Sequence, residues 1–135
     1  MTGAISCDGF STASLGVQMT SDHPIVLALR QIADVLTEAK HYPKHSKDIE
    51  SLLSLAVSEV PEAQAEFKKE ITTNKWYWLG MGTIADISLS DRVLNHKFVS
   101  AYYDLARACG QEGFDSIYSK NVETIFGKCL RDGHV

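Results

Sequence analysis

The sequence predicts an all-α fold, a small bundle of four to five helices with one irregular glycine-containing loop near residues 75–90. Three observations carry that expectation. Apolar residues recur every three or four positions across most of residues 22–135. Prolines and short polar residues stand where helices would start. Only residues 76–79 and 86–89 look strand-like, enough for a short hairpin at most.

The first helix is expected to be capped by Ser21 or Asp22, whose side-chain oxygens accept from first-turn amides. Pro24 fits at its start because no amide donor is needed there. Ile25, Leu29, Ile32, Leu36 and Ala39 then form one apolar stripe. His41, Tyr42 and Pro43 end it, since the residue before proline is pushed out of the helical region. A second helix is expected from Ser46, with Ile49, Leu52, Leu53, Ala56 and Val60 inward and Asp48 and Glu50 near its positive end. Pro61 opens a third. Ala63, Phe67 and Ile71 give it a thin stripe, and its remaining Glu and Lys residues suit an outer face.

Beyond the loop, Ser90 or Asp91 should cap a long helix. Its stripe of Leu94, Phe98, Ala101, Tyr102, Leu105 and Cys109 is the strongest in the chain, and Gly110 fits as the left-handed residue past its end. Val122, Ile125, Phe126, Cys129 and Leu130 define a last helix.

At 135 residues the chain has the size of one domain, able to bury roughly two thirds of its unfolded surface. Residues 1–21 carry no Lys or Arg and no continuous apolar core, which suits a weakly ordered leader better than a secretory signal. Residues 22–135 form the helical domain. The net charge of −4 gives no basic stripe for nucleic acid or anionic membrane. No apolar run approaches the roughly 20 residues that span a bilayer. Cys7, Cys109 and Cys129 are odd in number and widely spaced, unlike a disulfide framework. Cys109 and Cys129 read as small hydrophobes near the ends of neighbouring helices. A cytoplasmic location is expected.

The chemistry-bearing patterns are few. Gly80-Met81-Gly82-Thr83-Ile84-Ala85 matches G-x-G-x-x-A, with Asp104 about 20 residues on. That fingerprint binds dinucleotides only within a parallel-sheet unit, which this sequence lacks. No lysine follows the second glycine, so a P-loop is excluded. The expected role of Gly80 and Gly82 is to take backbone angles closed to other residues. Asp86 would then accept from turn amides. Trp76, Tyr77 and Trp78 are either core or surface anchors for a partner.

His41 and His45 are four apart, but Pro43 lies between them and Lys40, Lys44 and Lys47 oppose a cation. The three lysines make a solvated basic loop, with a patch for an acidic partner or phosphate as its alternative use. Glu62, Glu66 and Glu70 line one helix face, as a solvated surface or a partner-binding stripe. Asp86 and Asp91 flank a short segment as an ordinary carboxylate pair. No G-x-S-x-G elbow is present, and His96 and Cys109 lie too far apart on one helix for mutual activation.

Trp78, Gly80, Met81, Gly82, Thr83 and Asp86, followed by a long amphipathic helix, resemble an uncharacterised family of small bacterial helical proteins. That family carries a Gly-Met-Gly-Ser-x-x-Asp loop between helices; here Thr83 stands in the serine position and keeps the hydroxyl. The resemblance covers about residues 47–108. It implies a helical fold and a role as an immunity partner of a bacterial toxin, with no catalytic residues to carry over.

The expected function is thus a non-catalytic, cytoplasmic protein-binding domain of the immunity type. Its candidate partner- or ligand-binding residues are Trp76, Trp78, Gly80, Gly82, Thr83, Asp86, Glu62 and Glu66. No metal or cofactor is expected. The alternative is a small ligand-binding protein or enzyme using the Gly80–Asp91 loop, with a pocket beside Trp76, Trp78 and Asp86. A homodimer through the third helix is a further possibility.

Overall fold

The computed structural model describes residues 19–133. Among them are five α-helices and no strands: α1 (Pro24–Ala39), α2 (Pro43–Val57), α3 (Pro61–Thr73), α4 (Arg92–Gln111) and α5 (Ile117–Asp132). Two short 3-10 turns, Lys75–Tyr77 and Ile84–Asp86, occupy the segment between α3 and α4. The fold is all-α, as the periodicity predicts. No helix among the described residues is long and apolar enough to cross a membrane.

The helices are arranged as their apolar stripes require. α1 packs against both α2 and α4, α5 against α4, and α3 against α2. Ile25, Leu29, Ile32 and Leu36 of α1 are fully buried, so its stripe faces the middle of the bundle. Phe98, Ala101, Tyr102, Leu105 and Cys109 of α4 are equally buried and meet it. Each large aliphatic side chain buried here stabilises the fold by roughly 1.5–3 kcal/mol. α3 buries only Phe67 and Ile71, the thin stripe of an outer helix.

Several boundaries differ from expectation for local reasons. The cap of α1 is His23, in place of Ser21 or Asp22: its Nδ1 accepts from the Ile25 amide at 3.1 Å. Its Nε2 lies 3.3 Å from Glu112, so the same ring ties the start of α1 to the end of α4. α2 begins at Pro43, three residues before Ser46, because a proline costs nothing at a first helical position. At α4 the expectation holds: Asp91, one of the two candidates, is the cap, its carboxylate accepting from the Leu94 amide at 3.1 Å. Gly110 stays within α4, and the positive φ of 77° falls on Gly113. The segments 76–79 and 86–89 form no hairpin; their aromatic and aliphatic side chains pack onto helices from irregular backbone.

Met19 is buried against the core, so the part of the expected leader at residues 19–21 begins within the packed domain. Residues 1–18, Cys7 among them, lie outside the described residues. Cys109 is buried and Cys129 partly buried, and neither forms a disulfide.

Tyr102 is the aromatic centre of the bundle. Its ring stands edge-on to Phe98, Trp78 and Phe126 at 5.2, 6.1 and 6.3 Å between centroids. One α4 side chain therefore joins the irregular segment to α5.

Candidate functional site

The chain between α3 and α4 is fixed from its first residue. Asn74 accepts from the Trp76 amide at 3.0 Å and donates its own amide to Glu70 at 2.8 Å. This short-range capping starts the Lys75–Tyr77 turn and sends the two tryptophans in different directions.

Trp78 goes inward. It is fully buried, and its indole N–H donates to the Ile71 carbonyl at 2.9 Å. It is a core residue and offers no surface to a partner, which corrects its expected role as a binding residue. The cause is its carbonyl acceptor on α3: once that bond is made, the indole can be enclosed without an unsatisfied donor.

Trp76 lies flat on the start of α2. Its indole N–H donates to Asp48 Oδ2 at 2.9 Å, and its ring stacks on His45 at 5.0 Å between centroids. Lys44 reaches the same Asp48 oxygen at 3.0 Å and stands 5.3 Å above the Trp76 ring. Tyr42 meets His45 edge-on. The indole is only partly buried, so one part of it remains at the surface.

Tyr77, between the tryptophans, is buried by residue exposure, yet its phenol senses three carboxylates. Burial pushes the phenol up to about 12, and Glu70, Asp48 and Glu66 push in the same direction by disfavouring a phenolate. Glu66 is exposed, and Glu62 continues its row one turn earlier on α3. Carboxylates from α2 and α3 thus converge around Trp76 and Tyr77. No group of three or more His, Cys, Asp or Glu among the described residues is placed to hold a metal.

The glycine turn is a separate feature. Gly82 has φ 79°, as expected of the pair, but Gly80 does not adopt a positive φ. A Cβ at Gly80 would lie 2.5 Å from Lys75 Cε, the movable end of an exposed side chain, and 3.3 Å from the Thr83 methyl. The Thr83 hydroxyl donates to the Gly80 carbonyl at 2.7 Å, and Asp86 accepts from the Gly82 amide at 3.3 Å. Thr83 is itself buried. The polar groups expected to hold a ligand therefore close the turn on itself. Met81, at its tip, is 99% exposed. Two clefts on the described surface lie elsewhere, one between α1 and α4 and one between α1 and α2.

Of the residues expected at the site, Trp76 and Glu66 share one surface with Glu62 extending it. Gly80, Gly82, Thr83 and Asp86 make the neighbouring turn. Sequence reasoning named Tyr77 as core or anchor but missed Asp48 and His45 as the partners of Trp76 at this surface. Asp48 and Trp76 are 28 positions apart, and no periodic pattern links them. Comparison with protein-family models, curated proteins and solved structures finds no match for the chain.

Proposed function

We propose that this all-α bundle is a non-catalytic protein-binding domain, of the immunity type that blocks a bacterial toxin in the cytoplasm. One observation carries the reading: the acidic and aromatic surface where α2, α3 and the Lys75–Tyr77 turn meet. Glu66 and Glu70 supply negative charge there, with Glu62 beside them and Asp48 paired with Lys44, and Trp76 supplies a large, rigid, partly exposed ring. Tryptophan is enriched among the anchor residues of binding hot spots. The carboxylates favour a basic partner surface and speed its approach. Blocking a toxin needs shape and charge complementarity over about 800 Å² on each side, without catalytic groups.

The alternative, a ligand site on the Gly80–Asp91 loop, has less support. Thr83 and Asp86 spend their hydrogen bonds on the turn itself.

The test is co-purification of the protein with the product of the neighbouring gene, followed by calorimetry. A stable 1:1 complex is expected. Charge reversal at Glu66 and Glu70 should weaken it at least tenfold, the ratio that corresponds to about 1.4 kcal/mol. Absence of a complex across all neighbouring products would overturn the reading, as would a complex indifferent to both reversals and to Trp76→Ala.

A further inference from the structure

Between α1 and α2 lies a cleft of about 290 Å³, and none of its lining residues belongs to the acidic surface. Thr37 and Lys40 line it from the end of α1, and Ser46, Lys47 and Glu50 from α2. Three of its features share one chemical direction.

The first is a pair of lysines. Lys40 and Lys47 both border the cleft, and no ion pair is formed by either among the described residues. Lys44, the third lysine of this loop, is already engaged with Asp48 and Trp76 and does not line the cleft.

The second is a hydroxyl pair. Thr37 Oγ1 and Ser46 Oγ are 3.2 Å apart, and either can donate. Ser46 is 8% exposed. Two hydroxyls bring two protons, and one bond between them uses one. The remaining proton has no acceptor among the described residues and is available to a guest.

The third is backbone conformation. Lys40 has φ 68°, the only positive value at a non-glycine residue among those described. Glycine adopts this conformation without steric cost and lysine does not. Lys40 is the left-handed cap that ends α1, its amide donating to the Leu36 carbonyl, so the helix end itself sets this residue at the rim of the cleft. The amino end of α2 adds to the positive potential, since Tyr42 gives it no side-chain cap and its first turn has no acidic residue. Glu50 is the opposing charge, leaving two cations against one anion at the cleft.

We propose that this cleft binds a compact oxyanion of the phosphate type, as the free ion or as a small phosphomonoester. The ammonium groups of Lys40 and Lys47 balance its charge, and the spare hydroxyl proton donates to one of its oxygens. The inference does not depend on the protein-binding reading.

The test uses the full chain labelled with ¹⁵N. Backbone amide shifts are followed during titration with inorganic phosphate, with glycerol 3-phosphate, and with sodium chloride at matched ionic strength. Saturable shifts at Thr37, Lys40, Ser46 and Lys47 are expected with the phosphate compounds and not with chloride. Tighter binding of the ester would identify an esterified ligand; equal or tighter binding of inorganic phosphate would identify the free ion. Lys40→Gly should weaken binding about fivefold, the ratio set by one charge contact in water. It should do so without lowering the thermal midpoint, because glycine relieves the backbone. Lys47→Gln should weaken binding similarly, and Glu50→Gln should strengthen it. Shifts no larger than those with chloride, or an affinity unchanged in both lysine variants, would overturn the proposal.

Discussion

The indole N–H of Trp76 donates to Asp48 Oδ2 at 2.9 Å, joining two residues 28 positions apart. This bond fastens the turn after α3 to the start of α2. Asp48 also takes the Lys44 ammonium on the same oxygen, so one carboxylate organises a cation, an indole and, through stacking, His45.

Trp76→Phe keeps a ring but removes the donor. A hydrogen bond to a charged acceptor contributes about 1.5–3 kcal/mol, less where water reaches it. A loss of about 1 kcal/mol in urea unfolding is expected. Asp48→Asn should cost a similar amount, and the double variant should cost less than the sum. Strict additivity would show that the two residues do not interact in solution.

Gly110 and Gly82 differ in backbone conformation and can be separated by alanine. Gly110 is helical, exposed and has open space around its Cα. Gly110→Ala should stabilise by about 0.5–1 kcal/mol through helix propensity. Gly82→Ala, at φ 79°, should destabilise by roughly 1 kcal/mol because the left-handed conformation crowds a Cβ. Thermal unfolding of both variants checks the pair. Equal shifts in one direction would contradict these backbone assignments.

These glycines also mark where sequence reading succeeds and fails. The helices were legible because burial imposes a period of 3.6, and the predicted stripe of α4 is buried at every position named. Their ends were less legible. A glycine near a helix end satisfies the left-handed pattern whether it is Gly110 or Gly113, and only the bond from the Phe114 amide to the Cys109 carbonyl distinguishes them. Trp76 and Trp78 were indistinguishable for a related reason. Each indole is placed by its acceptor, Asp48 for one and the Ile71 carbonyl for the other, and neither acceptor is encoded locally.

Tyr102 supplies a sharper test of the core. Its hydroxyl is buried without a hydrogen-bond partner. An unsatisfied buried polar group costs about 1–3 kcal/mol, so Tyr102→Phe should leave stability unchanged or raise it. Trp78→Phe should instead cost about 2 kcal/mol or more, by losing buried area and leaving the Ile71 carbonyl unpaired. Urea unfolding with both variants gives the comparison. A clear loss from Tyr102→Phe would mean that the hydroxyl is satisfied in solution, by water for instance.

The alkaline limb of stability follows from buried groups: burial holds the Tyr102 phenol well above its ordinary value, and two more groups, Cys109 and Tyr77, act in the same sense. Burial pushes the Cys109 thiol up to about 12, with Asp115 and Glu112 adding to the rise, and the Tyr77 phenol up to about 12 for reasons of the same kind. Both groups are neutral when protonated, and the fold favours that form. In the unfolded chain they lose protons from about pH 9 for the thiol and 10 for the phenol. Between those values and about 12 the folded state holds more protons than the unfolded state, so stability falls as pH rises. Below pH 9 these groups bind equally in both states and contribute no slope. Unfolding free energy measured from pH 7 to 11 should therefore be level with respect to them and then decline. Cys109→Ala should flatten the first part of the decline, and Tyr77→Phe the later part. The same burial withholds the thiolate from reagents. Peptide mapping after thiol labelling at pH 8 should find partly buried Cys129 modified and Cys109 spared until denaturant is added. Rapid labelling of Cys109 in the native protein would place its helix turn at the surface and remove the basis for the expected pH profile.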